Sequence, residues 1–187
     1  MGNILVVDLE ATCDENAPDF DMQIIEVGAV WATTAGEILD TFQRFVRPMV
    51  NPVLTPFCLA LTGISQDDVD GASTFPDVAE ALRAFVAHHR QPGARWVSWG
   101  AWDSTQLRKD SARHGIACPI DLPHVNAKRL FAKVRHIGKT VGMTKACELV
   151  GVRLEGAHHR ALDDALNVAK LLPWVLGERG VRAPRYS

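Results

Sequence analysis

The run Ile4-Leu5-Val6-Val7-Asp8-Leu9-Glu10 constrains the fold more than any other stretch of the chain. Ile4–Leu9 is a short apolar run, the pattern of a strand buried in the middle of a sheet. Its end carries two acids. In a strand, residues two apart share a face, so Asp8 and Glu10 project together while Leu9 faces the other way. Two carboxylates at the end of an apolar strand cost desolvation free energy unless they are paired or hold a cation. An acidic pair of this kind suits Mg²⁺ or Mn²⁺, hard ions that want oxygen ligands. Asp-x-Glu by itself also describes an ordinary solvated strand end.

The rest of the chain supplies partners for that strand. Ile24–Ala32 is a second apolar run, Thr33-Thr34-Ala35-Gly36 reads as a turn, and Ile38–Val46 as the returning strand, which together make a meander. Pro48, Pro52 and Pro56 stiffen an irregular passage, with a short helix near Phe57–Leu61. Phe75–His89 has helical spacing, with Ser73 or Thr74 to cap it and Pro76 in its first turn. Trp96–Trp99 is a fourth short strand, Asp103–His114 a helix, and His124–Asn126 a fifth strand. Ala127–Arg135, Thr144–Val150 and Arg160–Leu172 read as helices. Strands first, then strands alternating with helices, predict an α/β fold: a mixed five-stranded sheet with helices on its faces.

At 187 residues the chain fits a single domain, residues 1–187, with a sizeable core. A formal net charge of −2 is not the strongly basic balance of a protein that coats nucleic acid, yet it suits an enzyme that touches a few phosphates and gathers carboxylates at one site. The four cysteines, Cys13, Cys58, Cys118 and Cys147, form no Cys-x-x-Cys pair and no zinc spacing. Free thiols in a reducing compartment are expected. The first apolar stretch is too short to span a membrane and has no basic lead-in, so the expected location is the cytoplasm.

Two further segments bear on chemistry. Asp103 stands where a helix begins, with Gln106 three residues on, and a helix cap explains it as well as a site does. In Arg160–Leu172, the apolar positions Leu162, Ala165, Leu166, Ala169 and Leu172 form a stripe. At about 100° per residue Asp164 falls beside Ala161 and Val168, on the edge of the buried region, and Asp163 groups with Asn167 and Lys170 on the polar side. On a continuous helix His159 would lie roughly 140° from Asp164. To serve one site it must sit on the turn before the helix, where Gly156 allows one. The pair His158-His159 is otherwise a surface loop.

These segments resemble the DEDDh 3′→5′ exonucleases of the DnaQ-like superfamily, and most of all the branch with the histone-mRNA 3′-exonuclease and its bacterial relatives. The resemblance runs over about residues 4–172. Val6-Val7-Asp8-Leu9-Glu10-Ala11-Thr12-Cys13, Ile25-Glu26-Val27-Gly28-Ala29-Val30, Leu61-Thr62-Gly63-Ile64-Ser65, Ser98-Trp99-Gly100, Trp102-Asp103 and His159-Arg160-Ala161-Leu162-Asp163-Asp164 carry it. It implies an RNase H-like sheet. It assigns Asp8, Glu10, Asp103 and Asp164 to two divalent metal ions, Mg²⁺ or Mn²⁺, and His159 to the general base. The implied reaction removes nucleoside 5′-monophosphates from the 3′ end of single-stranded RNA or DNA, with RNA favoured.

End selection calls for a pocket. Trp102 is placed to stack on a terminal base or to fill the strand–helix junction. Leu9, Thr12, Gly63, Ile64 and Phe57 are the other expected substrate contacts. Between Lys128 and Lys145 there are six basic side chains and no acid. Of these, Lys128, Arg129, Arg135 and Lys139 are the expected phosphate track, unless the stretch is an ordinary solvated helix face. Glu26, in an apolar run, is either a satisfied buried acid or a support for the site. The rival functions are a proofreading-type subunit acting on DNA and a nucleic-acid-binding module without catalysis.

Overall fold

The computed structural model describes residues 2–179. Strands β1 (Ile4–Ala11), β2 (Ile24–Ala32) and β3 (Ile38–Phe45) form the expected antiparallel meander. Helices α1 (Pro56–Thr62), α2 (Gln66–Asp70) and α3 (Phe75–His88) follow. The chain then returns to the other side of β1 as β4 (Arg95–Ser98), and α4 (Trp102–Arg113) leads to β5 (His124–Asn126). β4 and β5 run parallel to β1, and parallel neighbours need such helical crossovers. The sheet order is β3-β2-β1-β4-β5, which places the acidic strand at its centre. Helices α5 (Ala127–Val134), α6 (Met143–Val150) and α7 (Ala161–Val175) complete the chain.

The alternation along β1 divides the core. Leu5, Val7 and Leu9 pack on one face with Phe75, Val78 and Leu82 of α3 and Leu107 of α4. Ile4 and Val6 face the other way, toward Phe131 of α5, Met143 of α6 and the buried side of α7. Asp8 and Glu10 continue that second row. The face under α7 therefore turns from apolar to acidic as the strand approaches its carboxyl end.

Helix α7 approaches the sheet through small residues. Ala161, Ala165 and Ala169 are buried, and a Cβ on Gly28 of β2 would lie 2.2 Å from the Ala161 carbonyl carbon. This close approach rotates the helix from the stripe expected. Leu162 and Leu166 are only half-buried, whereas Val168, Leu171 and Asn167 are buried. The helix also runs past Leu172, through Pro173, to Val175.

Two local readings are corrected. Asp103 is not a cap: α4 starts at Trp102 with Ala101 before it, and Gln106 Nε2 donates to the Met22 carbonyl rather than closing a capping box. Helix α2 was not expected, although Ser65 and Asp68 make a reciprocal capping box that the Ser-x-x-Asp spacing spells out. Among the described residues no helix is long and apolar enough to cross a membrane, and the four cysteines are free.

Candidate active site

The pairing of β1 with β4 ends at Val6 and Val97, and beyond that point the two strands part. Open α/β sheets bind ligands in such crevices at the carboxyl ends of parallel strands. The Leu9 N–H faces the gap and donates to Asp103 Oδ1 at 3.2 Å, which fixes the first turn of α4 beside β1. Across β2, Asp8 stands opposite Gly28 and Glu10 opposite Glu26. Asp164 comes down from α7 onto the same spot. Asp8, Glu10 and Asp164 each offer a carboxylate oxygen within 4.8 Å of the others, and Asp103 lines the same pocket of about 480 Å³.

This crowding has an electrostatic cost. Burial, and then the charges of Asp103, Glu10 and Asp164, raise the Asp8 pKa well above the usual carboxylate range. Burial and the Asp164 charge push Glu10 up to about 8. Burial also raises Asp103 to about 6, although hydrogen bonds from its own N–H, the Ser98 hydroxyl and the Leu9 N–H oppose the shift. Carboxylates converging in this way need positive charge to ionise together, and the donor set is all oxygen. The residues therefore fit a hard divalent cation.

Glu26 is the satisfied buried acid. It is fully buried, and its carboxylate accepts from Arg160 Nε at 3.2 Å, from Arg160 Nη2 at 3.3 Å and from the Ala161 N–H at 3.1 Å. An N–H at the first turn of a helix has no intrahelical partner, so this bond pins the start of α7 to the sheet. The Arg160 charge also offsets the like-charge pair Glu26–Glu10 and lowers the Glu10 pKa in part.

The loop before α7 is held by α7 itself. Asn167 exchanges two hydrogen bonds with the Glu155 backbone, at 3.1 and 2.8 Å. Asp163 accepts from the Ala157 N–H at 2.8 Å and packs so near Gly156, in the left-handed region with φ 77°, that a Cβ there would stand 2.3 Å from its carboxyl carbon. Asp163 and Asn167 thus shape the loop and do not form a plain solvated face. His159 sits on the expected turn, in the left-handed region with φ 63°, a backbone cost that structures retain where surroundings over-determine it.

The two histidines divide Asp164 between them. The His159 backbone N–H donates to Asp164 Oδ2 at 3.1 Å, while His158 Nδ1 lies 2.9 Å from the same oxygen. Their rings stack with centroids 4.0 Å apart. Burial and the neighbouring His158 lower the His159 pKa, against the pull of Asp164.

Of the expected substrate contacts, Trp102 lines the pocket and is 41% exposed, so it is not a core tryptophan. Leu9 lines it too, although its side chain packs in the core on the opposite face. Thr12, Gly63, Ile64 and Phe57 lie off the pocket wall. Thr12 is buried and its hydroxyl accepts from the Gln23 N–H, and Ile64 packs with Ile25, Leu54 and Val69. Gly63 caps α1 in the left-handed region with φ 65° and makes no close backbone approach among the described residues. The wall uses Leu61, Met22, Trp99 and Met143 in their place. Trp99 belongs to the Ser98-Trp99-Gly100 segment; Met22 and Met143 carry no motif signal at all.

The profile of an exonuclease family, RNase_T, matches residues 5–172. The chain belongs to this family. It is 32% identical to human (Homo sapiens) 3′-5′ exoribonuclease 1 over 183 residues, which cover 90% of this chain and 50% of the relative. It thus spans about half the length of that relative. The nuclease domain of 3′hExo, a DEDDh family member solved with bound rAMP, superposes with a TM-score of 0.84 at 30% identity, covering 96% of this chain and 93% of that one. A structure of 3′-end-specific recognition of histone mRNA stem-loop by 3′-exonuclease gives a TM-score of 0.83 at 30% identity, covering 94% and 64%. The RNase H-like fold and the DEDDh resemblance are thereby established.

On this exonuclease-family fold the basic stretch breaks up. Arg135 is partly engaged: its Nη2 donates to the Trp174 carbonyl at 2.8 Å and to that of Arg179, tying α5 to the end of α7. Arg129 and Lys139 are exposed and Lys128 is half-buried. Lys145 pairs with Glu148 at 2.7 Å.

Proposed function

We propose that this chain acts as one exonuclease domain that hydrolyses single-stranded nucleic acid from its 3′ end to nucleoside 5′-monophosphates, with RNA as the favoured substrate. One observation carries the reading: carboxylates from β1 and α7 converge within 4.8 Å in a pocket that also presents Asp103, His159 and an exposed tryptophan. A module that only binds phosphates gains nothing from such a cluster. The exoribonuclease relative and the rAMP and histone mRNA complexes of the similar structures support RNA.

Asp8, Glu10, Asp103 and Asp164 would hold two divalent ions, Mg²⁺ or Mn²⁺, whose chemistry when bound is to acidify a water and to stabilise the departing 3′ oxygen. His159 accepts the proton of the attacking water. Its lowered pKa keeps the imidazole neutral, and so a competent base, at physiological pH. Trp102 stacks on the terminal base from the first turn of α4, one residue from Asp103. The Leu9 backbone borders the same space. The free thiols support a cytoplasmic setting.

The test is a time course on matched 5′-labelled RNA and DNA oligonucleotides with Mn²⁺, Mg²⁺ or EDTA, beside an Asp8→Ala control. A metal-dependent ladder shrinking from the 3′ end, faster on RNA and absent in the control, is expected. Faster loss of DNA would move the substrate to DNA. Binding without cleavage would overturn the catalytic reading.

A further inference from the structure

The segment from Ala127 to Cys147 contains no acidic residue. With Arg135 Nη2 bound to backbone carbonyls and Lys145 to Glu148, two groups of basic side chains form no ion pair among the described residues: Lys128 and Arg129 at the start of α5, and Lys133 and Lys139 at and beyond its end. The second group frames a cleft of about 440 Å³ lined by Ala132, Lys133, His136, Gly138, Lys139 and Thr140. Among the described residues no carboxylate lines it. Neither lysine forms an ion pair among the described residues; the nearby ion pairs are Lys145–Glu148 and Lys170–Glu155.

The cleft has a defined shape. His136 and Gly138 take left-handed backbone, with φ 54° and 72°, which folds the chain back over the end of α5. The Ile137 N–H donates to the Ala132 carbonyl at 3.2 Å and the Lys139 N–H to that of Ile137 at 2.8 Å. The far end is tied to the catalytic pocket: Trp99 Nε1 donates to the Val141 carbonyl at 3.2 Å, and Gly142 and Met143 line the pocket itself. Gly142 is three positions beyond Lys139, a span of at most about 11 Å.

We propose that this cleft binds a backbone phosphate of the nucleic-acid strand a few nucleotides upstream of the 3′ end. The inference rests on the exonuclease reading for its direction. Two unpaired ammonium groups in an acid-free cleft complement a phosphodiester, and the tryptophan-tied loop joins that cleft to the site of the terminal nucleotide. A strand whose end lies against Trp102 passes Trp99 and Gly142 and reaches Lys139 and Lys133. The anchor sits at the last turn of α5 and on the 135–140 turn that follows, not at the start of α5.

The test compares wild type with K133Q/K139Q and with K128Q/R129Q. Binding of a fluorescent single-stranded RNA is followed by anisotropy in EDTA over roughly 50–200 mM salt. K133Q/K139Q should bind ~10-fold more weakly, with a log–log salt slope shallower by about 0.7, the value for one lost phosphate contact on a single strand. With Mn²⁺, its kcat/KM ratio between the oligonucleotide and the p-nitrophenyl ester of thymidine 5′-monophosphate should fall by a similar factor. Unchanged affinity and slope would overturn the cleft, as would a loss carried by K128Q/R129Q instead. If wild type binds RNA but cleaves nothing, the exonuclease reading fails, and the two binding measurements still decide the cleft. Melting temperatures of the variants confirm folding, because exposed side chains of this kind contribute little stability.

Discussion

Gly28 and Ala161 meet backbone to backbone: a Cβ on the glycine would stand 2.2 Å from the Ala161 carbonyl carbon and 2.3 Å from the Leu162 nitrogen. Gly28 is also the cross-strand partner of Asp8. One residue thus sets how near the start of α7, and with it Asp164, comes to the acids of β1. Gly28→Ala has to push the helix away. It should cost about 3 kcal/mol, or roughly 6–12 °C in Tm for a chain of this size. Activity should fall further than stability explains, because Asp164 moves with the helix. Calorimetry and kcat at a temperature where the variant is folded check both; a near-wild-type Tm would show that α7 is not seated on this glycine.

Glu26 acts on the site only through others. Glu26→Gln keeps an oxygen for the Ala161 N–H but leaves Arg160 half-buried without its counter-charge. Water reaches the 28%-exposed Arg160, so the cost should stay below the roughly 3–5 kcal/mol of breaking a fully buried pair. The lost anion also leaves the Arg160 charge free to act on Glu10. Glu26→Gln should therefore lower kcat with little change in KM. Loss confined to KM would mean that Glu26 shapes substrate binding instead.

Much of this arrangement was legible in the sequence because it rests on periodicities. The two-residue repeat of β1 puts Asp8 and Glu10 on one face, and the spacing of His159 and Asp164 requires a turn where the φ of 63° now stands. What stayed hidden depends on tertiary approach. The wheel of α7 placed Asn167 in solvent, whereas its contact with Glu155 buries it. Asp103 looked like a cap because its acceptor role for Leu9 spans residues far apart in the chain. The bond of Arg135 to the Trp174 carbonyl joins residues 39 apart in the chain, so the sequence could not show it. Met22 and Met143 reach the pocket by packing alone, without any motif.

The adjacent histidines separate by variant. His158 has the ring nitrogen near Asp164, but its side chain is 54% exposed, whereas His159 is the more enclosed of the two. His159→Ala should lower kcat by about 10²–10⁴, the usual worth of a general base. His158→Ala should cost less than about tenfold, through the orientation of Asp164. The reverse order in single-turnover rates would transfer the base to His158.

Trp102→Ala should weaken substrate binding by about 1–3 kcal/mol, seen as a higher KM on both RNA and DNA. A change limited to one nucleic acid would show a contact other than stacking.

The acidic cluster predicts an inverted pH dependence of stability in the absence of metal. Glu10 has a folded pKa of about 8 against 4.5 unfolded. Between those values the folded state holds a proton that the unfolded state has lost, so stability falls as pH rises. The raised pKa of Asp8 acts in the same direction, and the contribution of Asp103 is complete by about pH 6. Two opposing groups finish earlier. The lowered carboxylates Asp21, Asp40, Asp68 and Asp121 have contributed fully once pH exceeds the ordinary aspartate range. His159 and His124, lowered below 6.5, add stability as pH rises but have done so by about pH 7. In EDTA the Tm should therefore drop by several degrees between about pH 7 and 8.5. Glu10→Gln should flatten the drop, and saturating Mn²⁺ should reverse it, because a bound cation favours the ionised acids. A flat or rising Tm in EDTA over that window would show that the carboxylates are not uncompensated, and would remove the electrostatic argument for a metal site.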